Sequence, residues 1–302
     1  VTNPTPAVAP YVPTYATRVP YLTQAEFLAA PTGVDCSQLI PGGDTNANSA
    51  ALNTLLASAS AYADVICRKI LAATLDMQVD TYRVYPDGTI RVPLDYTPIV
   101  AVTGVSVGVR AGQLTALTDL SGIWFQRKVV WIPIYSMATP LAGLTAPVTV
   151  APSGTVFAQV SYVNGYANTA LANSPAQGAT SIQVASALGI YAGLPLTLYA
   201  DAAATTEHVI VDASYVQGST TVPLTSPLAH PHVAGEAVSA LPREIKQATI
   251  CLATHLVKTR GAESVAIASM SGGPADVQPD EAGYTEEYQQ AVDLLAPHRR
   301  AR

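Results

Sequence analysis

The hydrophobic period of this chain changes twice, and that change sets its fold class. Between about 47 and 72, Leu52, Leu55, Leu56, Ala59, Tyr62, Ala63, Ile66 and Ile70 recur at three- and four-residue steps. That spacing marks one face of a helix. From Met77 the pattern alternates with period two, and short alternating runs continue to about residue 240. The helical period returns with Ile245, Ala248, Thr249, Leu252 and Leu256. Helices at both ends around a long β-rich middle predict an α+β protein rather than alternating βαβ units.

Turn and cap residues punctuate these segments. Thr23 with Glu26 three residues on has capping-box spacing and predicts a short helix over 24–30. Asp44, Asn46, Asn48 and Ser49 offer caps for the long helix, and Arg68 and Lys69 suit its C-terminal dipole. Met77, Val79, Thr81, Arg83 and Tyr85 lead into Pro86-Asp87-Gly88, a strong turn signal. Ile90, Val92 and Leu94 follow, then runs over 99–109, 124–125 and 129–134, which read together as a meander. Residues 155–240 hold a second series, over 156–162, 181–184, 194–199, 207–211 and 220–224. Glycines separate these runs every 8–12 residues or so, as in a small barrel or sandwich. Pro242 suits a first helical position and Gly261 a helix stop. A last helix is expected from Asp280 to Leu295 with Tyr284, Tyr288, Val292 and Leu295 on one face, ended by Pro297. The expected organisation is a proline-rich extended arm (1–20), a helical core and meander (21–150), an inserted β-domain (151–240), and C-terminal helices with a basic tail (241–302).

Composition narrows the function classes. Charged residues are only 12% of the 302, mean hydropathy is +0.27 and the net charge is −6. Such a chain is not a free-standing basic nucleic-acid binder. No unbroken apolar run reaches the length of a membrane span, and no basic start followed by an apolar stretch marks a secretion signal. Cys36, Cys67 and Cys251 are too few for a disulfide framework and read as buried thiols in a reducing compartment. Between Lys128 and Arg243 there is no Lys or Arg. Free sheets commonly use lysine to block their edges. The edges here are therefore expected to be covered by a partner or a second copy, or else closed internally as a barrel.

No constellation for catalysis emerges. Phosphate-binding GxxxxGK[ST], HExxH and GxSxG patterns are absent. Ser271 sits in a glycine-rich stretch without a strand–turn–helix context and reads as linker. His230 and His232, with Glu207 and His208, have metal-ligand chemistry but read better as polar residues at a barrel rim. His255 reads as a packing histidine within its helix. No catalytic residue, cofactor or metal is expected.

The order of segments LTQAEFL (22–28), NTLLASASAYADVICRKIL (53–71), DGTIRVPLDYTPIVAVTGVSVG (87–108), LPREIKQATICLATHLVKTRG (241–261) and EEYQQAVDLLAPHRR (286–300) resembles the head–tail connector, or adaptor, proteins of tailed double-stranded DNA phages. The segment with GATSIQVASALGIYAGLPLTLY (178–199) and EHVIVDAS (207–214) departs from small helical members and is similar to an inserted β-domain of larger ones. The resemblance implies a helical adaptor core and a structural virion protein of the phage neck. It implies a dodecameric ring joining the portal protein to a stopper or tail-terminator protein, with double-stranded DNA passing through the channel; the net charge of −6 predicts that the DNA passes without tight binding. No membrane is implicated. Localisation would be the virion head–tail interface, after assembly in host cytoplasm. It also implies that Ala296, Pro297, His298, Arg299, Arg300, Ala301 and Arg302 form the portal-facing tail. Two alternatives remain open: a glycan- or host-surface-binding protein that reads sugars through aromatic side chains in 155–240, and another virion ring protein, a stopper or tail terminator.

Overall fold

The computed structural model describes residues 18–37, 39–134, 154–200, 205–259 and 286–300. Most of the expected arm, Ser271, Tyr284, Gly261, Asp280, Ala301 and Arg302 lie outside the described residues. The class is α+β: four helices and thirteen strands are described, with the strands in four antiparallel sheets. The chain divides into two compact units.

The first unit comprises Ala72–Tyr166 with Arg300. Its strands are β1 (Thr74–Arg83), β2 (Thr89–Pro93), β3 (Ile99–Arg110), β4 (Gln113–Ala116), β5 (Trp124–Gln126), β6 (Val129–Pro133) and β7 (Thr155–Asn164). One sheet has the order β1-β7-β3-β4 and the other β2-β6-β5. This overturns the meander expected over 77–134, because β7 enters between β1 and β3 along nearly their whole length. It also removes 156–162 from the later β series. The alternation is written locally, whereas β7 pairs with residues from about 50 to 90 positions away in sequence. Period two explains the core. Val156, Ala158, Val160 and Tyr162 of β7, Ile90 and Val92 of β2, and Val130 and Ile132 of β6 all point into one cluster shared by both sheets. At Gly108 the chains approach closely: a Cβ there would lie 2.1 Å from the Gln113 carbonyl oxygen. The β3–β4 register shifts beside it, between Val107 and Arg110.

The second unit holds residues 18–71 and 167–299, as far as described. Helix α1 (Gln24–Ala29) begins with the expected capping box: Thr23 Oγ1 accepts from Glu26 N, and Glu26 Oε2 accepts from Thr23 N. Helix α2 (Thr45–Cys67) is capped by Asp44, whose Oδ1 accepts from Ala47 N. It stops earlier than expected, because Arg68 adopts a left-handed conformation (φ 55°) and closes the helix. Leu52, Leu56, Ala59, Ala63 and Cys67 form its buried face, whereas Tyr62 turns outward. Helices α3 (Arg243–Thr259) and α4 (Glu286–Leu295) pack against it and each other. Ile245, Ala248 and Leu252 of α3 are buried, and so are Ala291 and Leu295 of α4.

The remaining strands are β8 (Asn168–Ala170), β9 (Ser181–Gln183), β10 (Pro195–Tyr199), β11 (Glu207–Ile210), β12 (Thr221–Pro223) and β13 (Ala237–Ser239). They pair as β11-β10-β13-β8 and β12-β9. Bridges Leu171↔Val184 and Val211↔Leu224 join the two ends of these sheets. The result is a closed six-stranded barrel around Leu196, Leu198, Val211, Val222 and Val238. Closure answers the lysine-free stretch: the barrel pairs its own edges, and no partner is needed to cover them.

Candidate functional site

Three features of the second unit bear on function: the outward face of α2, the polar network beneath it, and the C-terminal segment. The sequence Thr45–Cys67 carries one charged side chain, Asp64, and that one is buried. The exposed side of the helix is Ala50, Asn53, Thr54, Tyr62 and Val65, the last two 48% and 69% exposed. Its best 18-residue window has a mean hydropathy of 1.3, so α2 meets the length and composition of a membrane span. Asn53, Thr54 and several serines interrupt the apolar run, so no unbroken stretch of the sequence shows this. In the fold, α2 is a packing helix whose inner face lies on α3 and α4.

Asp64 is the hub of the network. Its Oδ1 accepts from Tyr21 Oη at 2.6 Å and from Leu71 N at 2.9 Å, and its Oδ2 accepts from Arg18 Nη1 at 2.9 Å. Burial pushes the Asp64 carboxyl up to about 6, against the opposing pull of Tyr21, Leu71 and Arg18. A second cluster ties α1 and α3 to the barrel. Lys246 Nζ donates to Glu26 Oε1 at 2.7 Å and to the Tyr21 carbonyl at 3.2 Å, and sits 3.7 Å from the centroid of the Tyr199 ring. Burial lowers the Lys246 pKa while Glu26 raises it; burial and the Glu26 charge push Tyr199 up to about 12. These groups saturate one another, so the cluster fixes α1, α3 and β10 in place and presents no free acid or base. Sequence spacing could not reveal either cluster, since partners such as Glu26 and Lys246 are 220 positions apart.

The C-terminal segment follows from its proline. Leu295 is fully buried, and Pro297 converts the end of α4 into a 3-10 turn over Ala296–His298. Ala296, Pro297 and Arg299 are exposed, and His298 is half-buried. Burial and nearby Lys69 lower the His298 pKa, with Glu244 opposing them. Arg300, in the first unit, pairs with Asp95 Oδ2 at 2.7 Å and lies over the Tyr96 ring at 4.7 Å.

The histidine cluster differs from the expected rim. His232 is 2% exposed; its Nδ1 lies 2.7 Å from Glu236 Oε2 and its Nε2 3.5 Å from Glu207 Oε2. Glu207 in turn accepts from Ala229 N and His230 N. Glu207 thus pins the loop before β13 to β11, while His232 Nε2 is buried without a hydrogen-bond partner and His208 faces Thr197 Oγ1 at 2.8 Å. Among the described residues, no group of three or more His, Cys, Asp or Glu side chains is placed to hold a metal ion. His255 packs against Tyr288, ring centroids 5.4 Å apart.

The sequence matches no protein-family model and no curated protein. Three solved chains are similar, among them one from the neck of an empty GTA particle computed with C6 symmetry. That chain is 15% identical, with 93% of this chain and 94% of that chain covered, at a TM-score of 0.34. Overlap that loose assigns neither fold nor function.

Proposed function

We propose that this chain is a non-enzymatic structural subunit of a virion neck, an adaptor that forms a ring between the portal and the stopper or tail terminator. The observation that supports it is the outward face of α2, a twenty-three-residue helix whose single charged side chain is buried. Interface centres are depleted of charged residues and enriched in aromatics such as Tyr. A ring formed by rotation needs such a heterologous contact on every subunit. The order of helices and β-segments along the chain, which resembles phage adaptors, supports the same reading. On this reading Ala296, Pro297, His298 and Arg299 offer an accessible docking segment toward the portal, continued by Ala301 and Arg302. Arg300 is held by Asp95 and Tyr96 and contributes less. The net charge of −6 suits a channel past which DNA slides, because few phosphate contacts release counterions.

The test is assembly. The purified chain is mixed with its candidate portal and imaged by negative stain, and its mass is followed by light scattering. Stacked rings are expected from the natural chain. A Tyr62→Asp, Val65→Asp chain is expected to keep its circular dichroism and lose the rings. Rings that persist in the double variant refute the α2 contact. A natural chain that stays monomeric with every candidate portal refutes the adaptor reading.

A further inference from the structure

The β2-β6-β5 sheet turns one face to the core and the other outward. Ile90, Val92, Val130 and Ile132 are buried at 0%. Between them, the register places Arg91 opposite Trp131 and Trp131 opposite Trp124. The two indoles stack in parallel, with centroids 4.0 Å apart and planes 4° apart, and Trp124 is 52% exposed. The Arg91 guanidinium lies 4.1 Å from the centroid of the Tyr85 ring. The outer face is therefore an aromatic row of Tyr85, Arg91, Trp131 and Trp124 running across the strands. It contains both tryptophans of the chain. Exposed stacked indoles on a sheet face are costly to leave in water and typical of binding anchors.

Charge decides what fits there. The cation in the row, Arg91, faces Asp87 at 3.7 Å, so the row offers little to a phosphate backbone. A neutral, rigid, apolar ligand suits it. The chain itself carries a segment of neutral, proline-rich composition. Residues 1–17 contain no charged side chain and have prolines at 4, 6, 10 and 13. A polyproline helix has three residues per turn, so Pro4, Pro10 and Pro13 fall on one face. Pro10 and Pro13 would stand about 9 Å apart along that helix, at ~3.1 Å per residue. Two strand spacings, from Arg91 on β2 to Trp124 on β5, also come to about 9–10 Å. Proline faces docking on aromatic rows is a general mode of peptide recognition, favoured because the polyproline helix loses little entropy on binding.

We propose that the Tyr85–Arg91–Trp131–Trp124 row is the receptor for the proline-rich arm, residues 1–17, of a copy of this chain. The arm would be a clasp between subunits if the ring reading holds, but the docking stands or fails without it. Intrinsic fluorescence reads the site directly, since every tryptophan lies in it. The full chain is compared with a full chain carrying Pro10→Ala and Pro13→Ala, which leaves the platform untouched. The variant is expected to show red-shifted emission and stronger acrylamide quenching. A synthetic peptide of residues 1–17 added to that variant is expected to restore the blue shift saturably. Adding Trp124→Ala to the variant, with folding checked by circular dichroism, should weaken the peptide by about tenfold, as for an aromatic anchor. Identical quenching in the two chains together with no response to the peptide overturns the proposal. So does a saturable response to maltohexaose or chitotetraose with none to the peptide, which makes the platform a sugar site.

Discussion

Replacing Asp64 with asparagine tests whether burial or ion pairing governs the centre of the helical unit. The carboxyl is 5% exposed and its folded pKa stands at about 6, against 3.8 for the free group. Burial is the largest cause, and the Tyr21, Leu71 and Arg18 contacts only partly offset it. Because the folded pKa is the higher one, the folded chain binds more protons than the unfolded chain between these values. Stability from this group is therefore fully present below about pH 4 and is lost as pH rises through about 6. About two pH units at 1.36 kcal/mol each make this loss about 3 kcal/mol. Asparagine cannot titrate. It keeps an acceptor for Tyr21 and Leu71 and turns an amide toward Arg18, a fixed offset that does not change with pH. Urea unfolding followed by far-UV circular dichroism reads the helices of this unit, whereas tryptophan emission would report the other one. The Asp64→Asn chain is expected to gain about 2 kcal/mol of that total relative to the natural chain between pH 4 and pH 7, whatever the offset. A flat or reversed difference would falsify the reasoning, and would mean that the Arg18 pair outweighs desolvation.

Two further outcomes follow from local geometry. Gly108→Ala would place its Cβ against the Gln113 carbonyl, so the β3–β4 hairpin must shift; a loss of about 1–3 kcal/mol is expected in the unfolding transition read by tryptophan emission, and an unchanged midpoint would disprove the close approach. Of the three thiols, Cys36 is half-exposed, while Cys67 and Cys251 are buried, with burial pushing Cys67 up to about 11. A chromogenic disulfide reagent should titrate one thiol rapidly and the other two only on unfolding, and three fast thiols would contradict the packing of α2 and α3.

The capping box at Thr23 and Glu26, the Asp44 cap, the amphipathic stripes of α2 and α3 and the alternating strands around Ile90 and Val130 were all legible, because each is written within one turn or one pleat of the chain. The barrel was legible as a possibility from its glycine-spaced short strands. Its closure was not, since that rests on single bridges between Leu171 and Val184 and between Val211 and Leu224. The C-terminal segment could be read only as a basic tail; the pairing of Arg300 with Asp95, across 205 positions, could not.

Local order along the chain thus settled which stretches coil and which extend, and that most of the surface would carry little charge. Folding settled the rest. It placed β7 between β1 and β3, carried Lys246 to Glu26, buried His232 between two carboxylates, and turned Tyr62 and the two indoles outward. The division has a physical cause. Backbone propensity and caps act over three or four residues, whereas strand partners, ion pairs and exposed faces depend on which distant segments share a core.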